Sequence, residues 1–214
     1  ALIGVGLKLF AKKEVLKNTG NIFLGFAVLM SGMSMMSGAV SPLRSNPVFL
    51  EMMSTLTNPF ISGAFGIVFA GILQSSSAAV GVVQALSTTG AITFNGALPL
   101  IMGIGVGASF PVLLAAVGSS KNGTRTAFMY LLVSVIAMIL GALVYYPLAA
   151  SGIVKVGSDV MNPFSLALMN SGFRILTMTL MLPFVKLLKK AIYMFIPSDP
   201  AETEDLPEFE KLDD

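Results

Sequence analysis

Residues 71–84 read GILQSSSAAVGVVQ, and Gln74, Ser75, Ser76 and Ser77 place four polar side chains in a row with no charge near them. The surrounding chain is apolar: 55% of its 214 residues are hydrophobic, 11% are charged, and the mean hydropathy is +0.84. Soluble domains carry about 25% charged residues, so the composition specifies an integral membrane protein. In hydrocarbon, polar groups are costly unless they hydrogen-bond. The stretch therefore needs a partner, and what that partner is decides the reading of the molecule.

Apolar spans surround it. One covers about 21–43, rich in Gly, Ser and Met as expected where helices pack closely. Others cover about 91–118, 126–149 and 163–185, and residues 47–57 suit a short interfacial helix. Between them, 59–89 offers two apolar arms of about 15 and 12 residues, each short of the roughly 20 that a spanning helix needs. A re-entrant helical hairpin with Gln74 to Ser77 at its tip satisfies that length limit. The basic residues support it. Residues 8–17 hold Lys8, Lys12, Lys13 and Lys17; Lys121 pairs with Arg125, and Lys186 with Lys189 and Lys190. All three clusters fall on the cytoplasmic side if four segments cross once each and 59–89 enters and returns from outside. The expected fold is all-α and integral to the membrane, with about four spanning helices plus the hairpin.

At such a tip a second helix starts with unpaired N–H groups and the positive end of its dipole. A start at about Ala78, capped by Ser77, leaves Ser75 and Ser76 as free hydroxyls. Converging N–H and O–H groups suit an oxyanion such as phosphate. The same hydroxyls, the Gln74 amide oxygen and freed carbonyls suit Na⁺. The plainer alternative is serines that cap a kink. A second interruption is expected at 103–109, GIGVGAS, where Gly103, Gly105 and Gly107 precede Ala108, Ser109, Phe110 and Pro111. Close packing against a neighbouring helix is the alternative there.

Several classes are excluded. The chain has no Cys and no His, removing thiolate metal sites and the commonest general base. No nucleophile–base pair can be assembled, so an enzyme is not expected, nor a cofactor, nor a nucleic-acid partner. No acid lies between Glu51 and Asp159, whereas proton-coupled carriers relay through intramembrane Asp, Glu or His. Sodium coupling is the better expectation. Arg174, the lone charge in the last span, is a candidate for attracting an anion, with snorkelling as the alternative. Eight of the eleven acids fall in 199–214. Residues 197–214 therefore read as a solvated acidic linker towards a soluble domain. Residues 1–20 read as the end of a preceding helix and a basic cytoplasmic linker, with 21–196 as the membrane repeat. The opening apolar stretch is too short to span, so part of the natural N-terminus is expected to be missing.

LKNTGNIFLGFAVLMSGMSMMSGAVSPL at 16–43, GILQSSSAAVG at 71–81 and ALPLIMGIGVGAS at 97–109 together resemble the sodium/phosphate cotransporter family, in particular its bacterial branch with a C-terminal PhoU-like domain. The resemblance implies one half of an inverted-repeat transporter, carrying the second of two QSSS hairpins and working by alternating access in the cell membrane. It makes Gln74, Ser75, Ser76 and Ser77 half of a paired site for inorganic phosphate and sodium, completed by the other repeat or a second subunit. Phosphate would be held by Ser75, Ser76, Ser77 and Arg174, and sodium by Gln74, Ser75 and Ser109. The family has Asn-Ile-Gly and a run of threonines where this chain has residues 105–111; only Ser109 keeps a hydroxyl, so one sodium site is expected to be weakened. Where the family has His-Thr-x-Phe-Asn, this chain has Asn170, Ser171, Gly172, Phe173 and Arg174. A channel and a phosphate-sensing membrane anchor remain alternatives.

Overall fold

The computed structural model describes residues 1–153 and 155–197; of the expected acidic linker, everything after Pro197 lies outside them. Ten α-helices follow in order: α1 (Leu2–Phe10), α2 (Glu14–Val40), α3 (Pro47–Thr55), α4 (Pro59–Leu73), α5 (Ser76–Ser87), α6 (Phe94–Gly107), α7 (Phe110–Ala116), α8 (Lys121–Ala150), α9 (Pro163–Met181) and α10 (Val185–Phe195). Three of these stretches are long and apolar enough to cross a membrane: Glu14–Leu43, Phe94–Ala116 and Lys121–Ala150. A fourth arises only if α3 and α4, which meet at 105°, are taken as one broken span. The expected span at 163–185 is shorter than read: α9 ends at Met181, carries Asn170 and Arg174 in its middle, and is not among the three. The first span starts earlier than expected, at Glu14 rather than 21, because α2 continues through Lys17 and Gly20 to pack against α1.

Local chemistry sets the helix starts. Asn46, Asn58 and Asn162 each precede a proline. Each accepts a backbone N–H through its side-chain oxygen, from Phe49 (3.1 Å), Phe60 (3.0 Å) and Ser165 (2.8 Å) respectively. An Asn N-cap satisfies a donor that the helix leaves unpaired, and proline at N1 supplies the right φ without needing an N–H. Ser120 caps α8 in the same way, through Gly123 N–H at 3.2 Å.

The bundle is organised around α6, whose span with α7 is buried for 61% of its apolar window, against 0% for α2 and 11% for α8. Ile101 and Ile104 of α6 are fully enclosed with Leu166 and Val83. α4 lies against α6 in the same direction. Ser62 Oγ donates to Gly96 O at 2.6 Å near the start of both. A Cβ on Gly66 would overlap Leu100 O in the middle, and one on Gly107 would overlap Ile67 O and touch Ala70 at the end. Because α4 and α6 run parallel and adjacent, the chain must reverse between them, and α5 is the returning segment. Its arms of 15 and 12 residues measure about 22 and 18 Å at 1.5 Å per residue.

The remaining helices complete the frame. α8 descends antiparallel to α6, with Gly141 beside Met102 and Tyr145 Oη donating to Asn95 Oδ1 at 2.7 Å. A short backbone clamp, Phe94 N–H to Asp159 O (3.0 Å) and Met161 N–H to Ile92 O (2.8 Å), fixes the start of α9 beside the start of α6. At the opposite end α10 returns to the start of α8, where Arg125 Nε donates to Ile196 O at 3.1 Å and its guanidinium stacks 4.4 Å from the Tyr193 ring. Lys121, Arg125, Lys186, Lys189 and Lys190 thus share one end of the bundle.

Of the expected interruption at 103–109 only the end is a break: Gly103 and Gly107 still belong to α6. They allow backbone to meet backbone, since a Cβ at Gly103 would overlap the Gly63 carbonyl. The interruption comes only at Ala108 and Ser109. Gly105 points the other way and has nothing within 4 Å of a built Cβ. Gly103→Leu should therefore drive α4 off α6 and cost more than the about 1–3 kcal/mol of ordinary overpacking. Gly105→Ala should gain about 0.5–1 kcal/mol from helix propensity. Thermal unfolding of the detergent-purified protein reads both, and equal effects at the two positions would sink the assignment of the seam.

Candidate functional site

The polar stretch occupies the reversal itself. α4 ends at Leu73, Gln74 sits in the left-handed region at φ 53, and α5 starts at Ser76. Gln74 is the one non-glycine residue with positive φ among the described residues. For an L-residue that conformation costs roughly 1–2 kcal/mol, and such strain collects at functional sites. A glycine there would relieve it.

The cap is Ser75, not Ser77 as the sequence suggested. Ser75 is extended (φ −147, ψ 108), and its Oγ accepts the Ala78 N–H at 3.3 Å. The helix begins two residues earlier than expected because Ser75, not Ser77, adopts the extended conformation that a cap needs. The Ser75 and Ser77 hydroxyls lie 3.3 Å apart. Ser76 is the first residue of α5 and is half-buried, while Ser77 and Gln74 are exposed. The turn therefore gathers hydroxyls, a carboxamide and the first N–H groups of α5 at one point, with no carboxylate among them.

Its height in the bundle is set by α6 and α7. Gly107 lies against Ile67 and Ala70, and the Phe110 ring covers Gly71, three residues before Gln74. The tip therefore stands level with the junction of α6 and α7. Phe94–Ala116 is 23 residues, about 34 Å long at 1.5 Å per residue, and the junction falls inside that length. Ser109 belongs to the junction: it is fully buried, and its hydroxyl donates to Val106 O at 2.6 Å. It shares the tip's level, and no hydrogen bond joins it to Gln74 or the serines.

No hydrogen bond joins Arg174 to Gln74 or the serines; its Nε donates to Asn170 Oδ1 at 3.3 Å. On α6, Gly103 and Gly107 mark the face towards α4, whereas Ile101, Met102 and Gly105 line the cavity that Arg174 shares with α8. The hairpin itself meets α9 lower down, where Gln84 Nε2 donates to Pro163 O at 3.2 Å.

A helical membrane protein with a polar helix reversal held against a glycine-lined helix is the class these features define. Residues 45–182, from just before α3 to the end of α9, match the Na⁺/Pi-cotransporter family, and the chain belongs to that family. It is also similar to the uncharacterized protein YqeW of Bacillus subtilis (strain 168), with 26% identity over 204 residues, covering 92% of this chain and 64% of that protein. This chain thus spans a little under two thirds of the relative's length. No solved structure matches it.

Two substitutions separate the cap from the strained residue. Ser75→Ala should destabilise by about 0.5–2 kcal/mol through loss of the N-cap. Gln74→Gly should stabilise by about 1 kcal/mol by releasing the left-handed strain. Unfolding in detergent measures both, and a destabilised Gln74→Gly would show that the amide is structural.

Proposed function

We propose that this chain forms one half of a sodium-coupled carrier of inorganic phosphate in the cell membrane, with the phosphate bound at the tip between α4 and α5. The carrying observation is Gln74, held at φ 53 at the head of three consecutive serines. A glycine would serve the turn alone better, so the amide is retained for what it binds. Family membership supports the substrate and the coupling ion. Ser75, Ser76 and Ser77 donate hydroxyl hydrogen bonds to phosphate oxygens, with the α5 N–H groups behind them. Gln74 Oε1, the Ser75 hydroxyl and the Ser109 hydroxyl supply neutral oxygens for Na⁺. With no carboxylate at the tip, sodium is what offsets the charge of the anion, which is why the two travel together.

The arms of about 22 and 18 Å fall short of the roughly 30 Å hydrocarbon core, so α4 and α5 enter and leave from one side. The shared basic end of α8 and α10 faces the cytoplasm. A second, inverted repeat, from elsewhere in the natural protein or from a second subunit, closes the site over the ions. Transport then proceeds by alternating access.

Uptake of ³²P-phosphate into proteoliposomes of the full-length protein tests this, with an inward Na⁺ gradient against an equal K⁺ gradient. Sodium should drive uptake. Ser75→Ala/Ser76→Ala should lower it about tenfold or more, the loss of two hydrogen bonds at roughly 1 kcal/mol each. Gln74→Gly should impair uptake while unfolding no earlier than wild type. Uptake indifferent to sodium would favour a channel, and phosphate binding without flux a sensor; either overturns the carrier.

A further inference from the structure

A cavity of about 330 Å³ lies between α6, α8 and α9, and none of Gln74 to Ser77 lines it. That is within the range of small-ligand sites, about 300–1,000 Å³. Its polar lining is Tyr130, Ser134, Asn170, Arg174 and Thr177, with Gly105 on the α6 wall. We propose that this cavity is a second oxyanion site, separate from the hairpin tip, in which the Arg174 guanidinium holds a phosphate group.

Three observations carry it. The first is the state of Arg174. A cation at membrane depth costs about 2.5–3.5 kcal/mol by insertion scales, and pairing with an acid is the usual remedy. No acid occurs between Glu51 and Asp159, or between Asp159 and Asp199. The one protein partner of Arg174 among the described residues is Asn170 Oδ1, which accepts from Nε at 3.3 Å. Neither terminal NH₂ group has a hydrogen-bond partner among the described residues, and their planar fork matches two oxygens of a phosphate.

The second observation is Gly105. Unlike Gly103 and Gly107 it is not needed for packing, since nothing stands within 4 Å of its built Cβ. Its missing side chain keeps room open on the wall of the cavity that Arg174 also lines. The third is the ring of neutral groups. Ser134 and Tyr130 offer hydroxyl donors and no acidic side chain lines the cavity, so an anion meets donors and no repulsion. The proposal rests on the transport reading only for the choice of phosphate as the anion.

The chain has neither Cys nor Trp, which makes a single introduced thiol a clean reporter. In the full-length protein, freed of any other cysteines, Ser134→Cys reports on this cavity and Gln74→Cys on the tip through their rates of alkylation by a charged methanethiosulfonate. Inorganic phosphate should slow alkylation of the Ser134→Cys protein, and should still do so when Ser75→Ala/Ser76→Ala is added. Arg174→Gln should raise the phosphate needed about 10- to 100-fold, the loss of a charge-assisted hydrogen bond, and Arg174→Lys should recover part of it. Gly105→Leu should remove protection by filling the cavity while leaving protection at the tip. Protection by phosphatidylglycerol in place of inorganic phosphate would assign the same site to a lipid headgroup. Protection that survives Arg174→Gln, disappears with the tip serines, or is absent with both probes overturns the proposal. Uptake measured in parallel keeps the outcomes apart, because loss of sodium-driven uptake in the serine variant leaves the protection at Ser134→Cys unaffected.

Discussion

Everything else in this bundle hangs on the direct contact between the backbones of α4 and α6. Gly66, Gly103 and Gly107 have no Cβ at the points of closest approach, and the carbonyl oxygens of Leu100, Gly63 and Ile67 occupy the space where one would be. In lipid there is no hydrophobic gain from bringing two apolar helices together, so close van der Waals approach and hydrogen bonds such as Ser62 Oγ to Gly96 O must supply the attraction. Because the seam is parallel, the chain has to turn back between the two helices. The polar turn is thus a topological consequence of the glycine seam, and its depth is inherited from where Gly107 meets Ala70.

The turn answers the question its composition raised. The polar groups of the turn satisfy one another and the helix they begin: Ser75 takes an α5 N–H, and the Ser77 hydroxyl lies within reach of Ser75. What local satisfaction does not explain is Gln74. Its side chain is exposed, its backbone is strained, and no packing role requires an amide there. Strain kept against an easy alternative is the physical ground for giving the turn a ligand.

Much of this was legible in the sequence, and the rest was hidden for identifiable reasons. The hairpin arms, the break at Gln74 and the α8 span follow from length and hydropathy, which the bilayer constrains tightly. The helix starts at Pro47, Pro59 and Pro163 were written in three Asn-Pro pairs, a signal stronger than the apolar boundaries used to place them. The role of the glycines was not readable. A glycine triplet spaced by two reads equally as a break or as a packing face, and only the position of α4 separates Gly103 and Gly107 from Gly105. The surroundings of Arg174 were not readable either, because linear order does not say that it lines a cavity with residues of α6 and α8. The cap shifted from Ser77 to Ser75 because consecutive serines are interchangeable until the backbone selects one.

The seam and the cavities together divide the molecule mechanically. Across α4 and α6, backbone meets backbone at Gly66, Gly103 and Gly107, which leaves little there to repack. Across α6, α8 and α9 lie cavities of about 730 and 330 Å³, the larger lined mostly by Met, Leu and Phe side chains that can repack. Compliance is concentrated there. A shear of α8 and α9 along α6 repacks soft side chains, while the hairpin tip and the α6–α7 junction ride as one stiff block with their spacing unchanged.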